Sequence, residues 1–203
     1  MSGLAQQKSL LIACGALAHE LVEVLEANHW DHIEIQCLPA DWHNTPDKIA
    51  PGVEKKILEN QSHFNSIFVA YGDCGTGGHL DTVIERYGVA RLPGAHCYEF
   101  FTGHQAFTEL ADEELGTFFL TDYLAWHFDR LILDTLGIKK HPELRDMYFG
   151  NYTRMLYLAQ TKNEERLQQA RDAAESINLP LDIRYTGLQP LQSALQTIRV
   201  VVE

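Results

Sequence analysis

Apolar positions along this 203-residue chain alternate between short continuous runs and stripes at helical spacing. "SLLIACG" (9–15) is an apolar run closed by glycine and predicts a buried strand. "ALAHELVEVLEANH" follows it, with Leu17, Leu21, Val24 and Leu25 on one helical face. "HIEIQCLP" (32–39) alternates as a strand and stops at Pro39, and "KIAPGVEKKILENQ" predicts a helix with Pro51 in its first turn. "FNSIFVAYGDCG" reads as the clearest buried strand, and the helix "GGHLDTVIERYG" after it ends at Gly88, a C-cap. A short strand around "VARLPG", the segment "AHCYEFFTGHQAFTEL", the strand "GTFFLTD" and a long helix near "YLAWHFDRLILDTLG" come next. The strand "TRMLYLAQ", the polar helix "NEERLQQARDAAESIN" and the strand "LDIRYTG" continue the series, and "IRVVVE" reads as an edge strand or a frayed end.

Strands alternating with helices predict an α/β fold, a doubly wound and mostly parallel sheet with helices on both faces. No linker, repeat or low-complexity tract interrupts the pattern, so residues 1–203 are expected to form a single domain. The net charge of −12 argues against a nucleic-acid binder, which needs a basic face, and against a polybasic membrane anchor. The start "MSGLAQQKSLLIACGAL" lacks the pattern of a signal peptide, and no stretch has the length of a transmembrane helix. The expectation is a cytoplasmic protein whose four cysteines are thiols or ligands rather than disulfides, with a homodimer in keeping with its size.

Open parallel sheets bind ligands outside the carboxyl ends of their strands. Cys14 falls at the end of the first strand, Cys74 follows the central strand, and Cys97 lies just past "VARLPG". Three thiols are therefore expected on one rim, whereas Cys37, inside "IEIQCLP", is read as a structural residue. Zinc prefers thiolate and imidazole ligands and keeps one position open in catalytic sites. Cys14, Cys74 and Cys97 are thus candidate metal ligands, for zinc or alternatively for iron or an iron–sulfur cluster. Asp73, His96, Glu99 and His104 are candidate general acids or bases.

The glycines of "GDCGTGG" put backbone N–H groups at a helix start, where they attract anions and favour a thiolate at Cys74. Gly72, Gly75, Thr76 and Gly77 are accordingly candidate cofactor-binding residues, although the stretch matches neither the dinucleotide fingerprint nor the P-loop. A tight turn with close helix–sheet packing explains the glycines equally well. "LPADWHNTPDKI" brings Asp41, His43 and Asp47 near the same rim and also reads as a cap-rich connection. Asp122 is read as an N-cap or as a polar group aimed into the crevice.

"LLIACGALAHEL", "FVAYGDCGTGG", "ARLPGAHCYEFFTGHQAF", "GTFFLTDYL" and "YTRMLYLAQT" resemble, in that order from Ser9 to Gly187, the family catalogued as domain of unknown function 1638. The resemblance implies that the cysteines after the first strand, in the Y-G-x-C-G turn and in a segment like H-D-C recur; here these are Cys14, Cys74 and Cys97. This chain reads "AHC" where the family usually has aspartate before the cysteine, so His96 takes that place. The resemblance also implies a setting beside corrinoid proteins and trimethylamine-type methyltransferases, in one-carbon metabolism of methylated amines.

Three functions compete. The first is a metal-dependent enzyme acting on a small-molecule substrate, by hydrolysis or by activating a substrate thiol for methyl transfer. The second is an accessory protein that holds a corrinoid, folate or metal for a methyltransferase; "DWHNTP" supplies Asp41 and His43 but lacks the glycine of the D-x-H-x-x-G corrinoid loop. The third is a metal-free enzyme with Cys74 as nucleophile and His79 or His96 as base.

Overall fold

The computed structural model describes residues 8–113 and 115–200, the side chains of 198–200 excepted. The first elements are β1 (Ser9–Cys14), α1 (Ala18–Ala27), β2 (Ile33–Leu38), α2 (Ile49–Asn60), β3 (Ser66–Ala70), α3 (His79–Arg86), β4 (Ala90–Arg91) and α4 (Glu99–Thr102). They are followed by α5 (His104–Glu113), β5 (Thr117–Thr121), α6 (Asp122–Phe128), α7 (Leu144–Phe149), β6 (Arg154–Ala159), α8 (Glu164–Ser176), β7 (Leu181–Tyr185) and α9 (Gln189–Val200). The chain is α/β, as its alternating pattern implies. Its strands do not join one sheet, however, but form a parallel set of four, ordered β2-β1-β3-β4, and a parallel set of three, ordered β5-β6-β7. Each sheet organises a compact unit: the described residues through Phe100 with those from Leu191 in one, Phe101–Pro190 in the other.

In the first unit β1 is buried along its whole length, because strands lie on both sides of it. The chain steps from β1 outward to β2, then recrosses β1 to reach β3 and β4. Parallel crossovers are right-handed, so this reversal sends α1 to one face and α2 and α3 to the other. Leu21, Val24 and Leu25 of α1 are the buried stripe that the helical spacing anticipates, and Leu80, Val83 and Ile84 serve α3 in the same way. Where the winding reverses, the loops leaving β1 and β3 diverge and leave a crevice at the carboxyl ends of the strands.

In the second unit β5, β6 and β7 succeed one another in a single direction, so the right-handed rule puts α6 and α8 on the same face, where they pack together. Ala170, Ala173 and Ala174 of α8 are buried with Leu120, Phe128, Met155 and Tyr157 in one apolar cluster, the small side chains allowing a close approach. The long helix expected near 123–137 is α-helical only to Phe128 and continues as a π-helical turn over Asp129–Asp134. Its N-cap is Thr121, whose Oγ1 accepts the Leu124 N–H at 3.3 Å, while Asp122 is drawn inward. At the other end of the chain, α9 covers the first half of the expected edge strand "IRVVVE", and residues 201–203 lie outside the described residues. No helix among the described residues is long and apolar enough to cross a membrane.

Candidate functional site

The switch point of the first sheet is lined by sulfur. Cys14 ends β1 and is buried, and burial pushes its thiol up to about 11, against the Ala16 N–H and Tyr71 hydroxyl that pull it down. Tyr71 is the residue after β3 and is only 2% exposed. Its hydroxyl faces the Cys14 sulfur, yet it finds no properly aligned hydrogen-bond partner there. Burial first, and the neighbouring Cys14, Cys97 and Cys74 sulfurs after it, hold that phenol above its ordinary value.

Beyond β3 the chain keeps company with the segment that follows β4. The Asp73 N–H donates to the Gly94 carbonyl at 3.0 Å and the Cys74 N–H to the Ala95 carbonyl at 2.8 Å. So close an approach needs a glycine at 72, since a Cβ there would lie 2.8 Å from the His96 carbonyl carbon and 3.1 Å from the Cys97 nitrogen. The opposite strip is braced on its far side. Arg91 pairs with Asp81 through Nε (2.6 Å) and Nη2 (3.0 Å) and donates through Nη1 to the Leu92 and Gly94 carbonyls. The buried Glu99 carboxylate accepts the Ala95 N–H at 2.6 Å and the His96 N–H at 3.3 Å.

The result is a sulfur pair, with Cys74 Sγ 3.2 Å from Cys97 Sγ. Cys74 reaches this position in a left-handed conformation, φ 47°, which a non-glycine residue adopts at a cost of roughly 1–2 kcal/mol. Hydrogen bonding from Cys97 is the main cause that lowers the Cys74 thiol below its ordinary value, with His43 and His96 adding to it against the opposing effect of burial. The proton shared across the pair correspondingly raises Cys97, and the Cys74 thiolate raises His96 above an ordinary imidazole. Cys74 is thus a buried sulfur with the Cys97 sulfur on one side and the imidazoles of His43 and His96 on the other, surroundings that favour its charged form.

The glycine-rich turn turns out to carry its own anion. The Asp73 carboxylate accepts the Thr76 hydroxyl at 2.7 Å and the N–H groups of Gly78 (2.9 Å) and Gly77 (3.1 Å). The donors that made Thr76 and Gly77 candidate cofactor-binding residues are therefore taken from within the turn, and Gly72 and Gly75 are explained by close approach and by a left-handed φ of 84°. Burial alone would raise Asp73, but those three donors outweigh it and hold the carboxyl below its usual 3.8. A depressed carboxylate stabilises the fold fully above its usual value and loses that contribution as the pH falls through its lower folded value. Asp73→Asn is expected to cost about 1 kcal/mol at neutral pH, given solvent screening, with the deficit shrinking as acid protonates the parent. Urea melts of both proteins at pH 7 and pH 3 check this, and an equal gap at the two pH values would contradict it.

Of the other expected site residues, Glu99 is occupied in bracing the 95–96 backbone, and His104 opens α5 of the second unit. Cys37 is exposed rather than buried, because β2 is an edge strand with one flank in solvent. Tyr71 was not singled out by sequence, since it looks like any aromatic at the end of a buried strand, whereas His43, placed near this rim by its polar connection, faces Cys74. Beside the site, between the starts of α2 and α3, lies a cleft of about 450 Å³ lined by Pro46, Asp47, Pro51, Thr76, His79 and Thr82.

The family described as "Protein of unknown function (DUF1638)" matches residues 37–195, a span that includes Cys74 and Cys97 and starts after Cys14. No curated protein and no solved structure matches the chain.

Proposed function

Because the chain belongs to the DUF1638 family, whose description assigns no activity, its function is read from the site, and we propose a metal-dependent enzyme. In this reading Cys14, Cys74 and Cys97 hold one thiophilic ion, zinc first and iron or an iron–sulfur cluster as the alternative, and the neighbouring cleft admits a small-molecule substrate. The observation that carries it is the gathering of three thiols at one rim of one sheet, from the end of β1 and the segments after β3 and β4, two of them 3.2 Å apart, beside a buried phenol whose hydroxyl lacks an aligned hydrogen-bond partner.

The donor set fits a soft metal by its chemistry. Its spacing is that of free thiols. Among the described residues no three His, Cys, Asp or Glu side chains stand close enough together, as placed, to hold one ion. Two thiolates on one tetrahedral zinc lie about 3.8 Å apart for bonds of about 2.3 Å, so loading the site requires the Cys74–Cys97 pair to part slightly. When bound, such an ion would supply Lewis acidity to a water or to a substrate thiol. The chain's own contribution is the Cys74 sulfur, the imidazoles of His43 and His96 beside it, of which His96 holds its proton more tightly than an ordinary imidazole, and buried surroundings that exclude bulk water.

A second reading is favoured by the two imidazoles on Cys74: a metal-free enzyme with that thiolate as nucleophile. Elemental mass spectrometry of protein purified without chelator separates the two. About one ion per chain, reduced in each of Cys14→Ser, Cys74→Ser and Cys97→Ser, is the expected result. A metal-free protein in which iodoacetamide modifies Cys74 ahead of the exposed Cys37 would overturn the metal reading in favour of the nucleophile.

A further inference from the structure

We infer that Cys74 and Cys97 form a reversible disulfide when the protein meets a peroxide, and that closing this bond removes two of the three metal ligands. The consequence for metal rests on the function proposed above; the disulfide itself rests on geometry alone. The two sulfurs are 3.2 Å apart across 23 residues of sequence, so a bond of about 2.05 Å requires each to move by roughly half an ångström. The backbones that carry them are already laced by the bonds from Asp73 to Gly94 and from Cys74 to Ala95. Little chain entropy is therefore lost on closure. With its sulfur 3.2 Å from that of Cys74, Cys97 is the resolving partner.

Cys74 is only 4% exposed, so the oxidant must be small, and hydrogen peroxide meets that condition. The Cys74 sulfur attacks one peroxide oxygen, the O–O bond breaks, and the departing hydroxide takes a proton as water, leaving a sulfenic acid. The Cys97 sulfur then attacks Cys74 Sγ; the S–S bond forms, the S–O bond breaks, and the second hydroxide leaves as water with the Cys97 proton. Two thiols have lost two electrons, and one peroxide has become two waters. Metal-bound thiolates cannot be bonded to each other and to the ion in this way, so oxidation and metal retention exclude one another.

The test treats the full-length protein, as purified, with equimolar hydrogen peroxide and follows intact mass, peptide mapping after alkylation, and metal release to a chromogenic chelator. The expected result is the loss of two hydrogens, a linked peptide containing Cys74 and Cys97, release of metal in step with the link, and reversal by dithiothreitol. Cys97→Ser should instead accumulate a sulfenic acid at Cys74 that dimedone traps, and Cys14→Ser should still form the link. Oxidation of the wild type to sulfinic acid without a link, or a link joining another pair, would overturn the inference whether or not the variants fold. A protein that carries no metal yet forms the Cys74–Cys97 link upholds the disulfide and overturns the metal reading, whereas a loaded protein that never forms it does the reverse.

Discussion

Asp122→Ala is expected to destabilise the second unit by about 3 kcal/mol or more, the largest effect of any single substitution considered. The Asp122 side chain is buried beyond the carboxyl ends of β5 and β6, and four donors converge on it. The Tyr157 hydroxyl (2.6 Å) and Gln160 N–H (3.0 Å) meet Oδ1, while the Thr161 N–H (3.0 Å) and hydroxyl (2.5 Å) meet Oδ2. The Asp122 N–H in turn donates to Gln160 Oε1 at 2.8 Å, so the first residue of α6 is stitched to the chain leaving β6 from both its backbone and its side chain. Alanine strands the buried Gln160 N–H and the Tyr157 phenol away from water, each at a cost of roughly 1–3 kcal/mol. Asparagine retains the shape but turns an NH₂ toward one set of donors, and should fall between the two. Thermal unfolding followed by circular dichroism checks the order: wild type above asparagine above alanine, with alanine lower in Tm by on the order of 10 °C. Equal melting points would show that the network contributes no net stability.

Gly72→Ala is expected to take apart the sulfur pair while leaving every sulfur in the protein. The added Cβ would meet backbone atoms of His96 and Cys97 at 2.8–3.1 Å, and no flexible side chain is available to give way. The 94–97 strip must then move off the 72–74 segment, against the hold of the Arg91 and Glu99 braces, at a cost of about 1–3 kcal/mol for overpacking. With the strip goes the contact between Cys74 and Cys97. Retained metal should fall on the order of tenfold to a hundredfold, as when a supporting residue of a metal site is lost, and the peroxide-induced link should no longer form. Gly77→Ala is the control: a Cβ there meets nothing within 4 Å, so only the strain of a φ of 61°, about 1 kcal/mol, is expected, with metal unaffected. Elemental analysis of both variants decides the matter. A Gly72→Ala protein that keeps its full metal content would show that the close packing at 72 does not shape the site.

The sulfur site was legible in part because strand ends are legible. A buried parallel strand is a run of apolar residues with an abrupt end, and residues at or shortly past that end land on the rim whatever else the fold does. Cys14 ends β1, Cys74 lies four residues past β3, and Cys97 follows the next short strand. Roles within the site were harder to read. Glu99 carries the chemistry of a catalytic acid, yet its Oε1 accepts the N–H groups three and four residues earlier, a local arrangement that composition does not reveal. The glycine-rich turn is the same kind of case. Glycines and a helix start suggest an anion cradle, but the anion is Asp73, one residue before the cysteine. His43 lies 31 residues before Cys74 in the chain, and no spacing rule links two positions that meet only because their loops leave β2 and β3, the strands on either side of β1.

By itself the sequence determined the alternation of strands and helices, their near-boundaries, and the placing of thiols at the ends of strands, because hydrophobic periodicity and glycine punctuation are local properties of the backbone. It did not determine how the strands partition. β1 to β4 and β5 to β7 have similar apolar runs, and their division into two sheets depends on pairings between residues far apart in the chain. The tertiary structure alone decided that the winding reverses at β1, that the strip after β4 lies against the turn after β3, and that two sulfurs 23 residues apart come within 3.2 Å. The physical reason is that a sulfur's neighbours are set by loop path and close packing, and both are properties of the whole sheet rather than of any stretch within it.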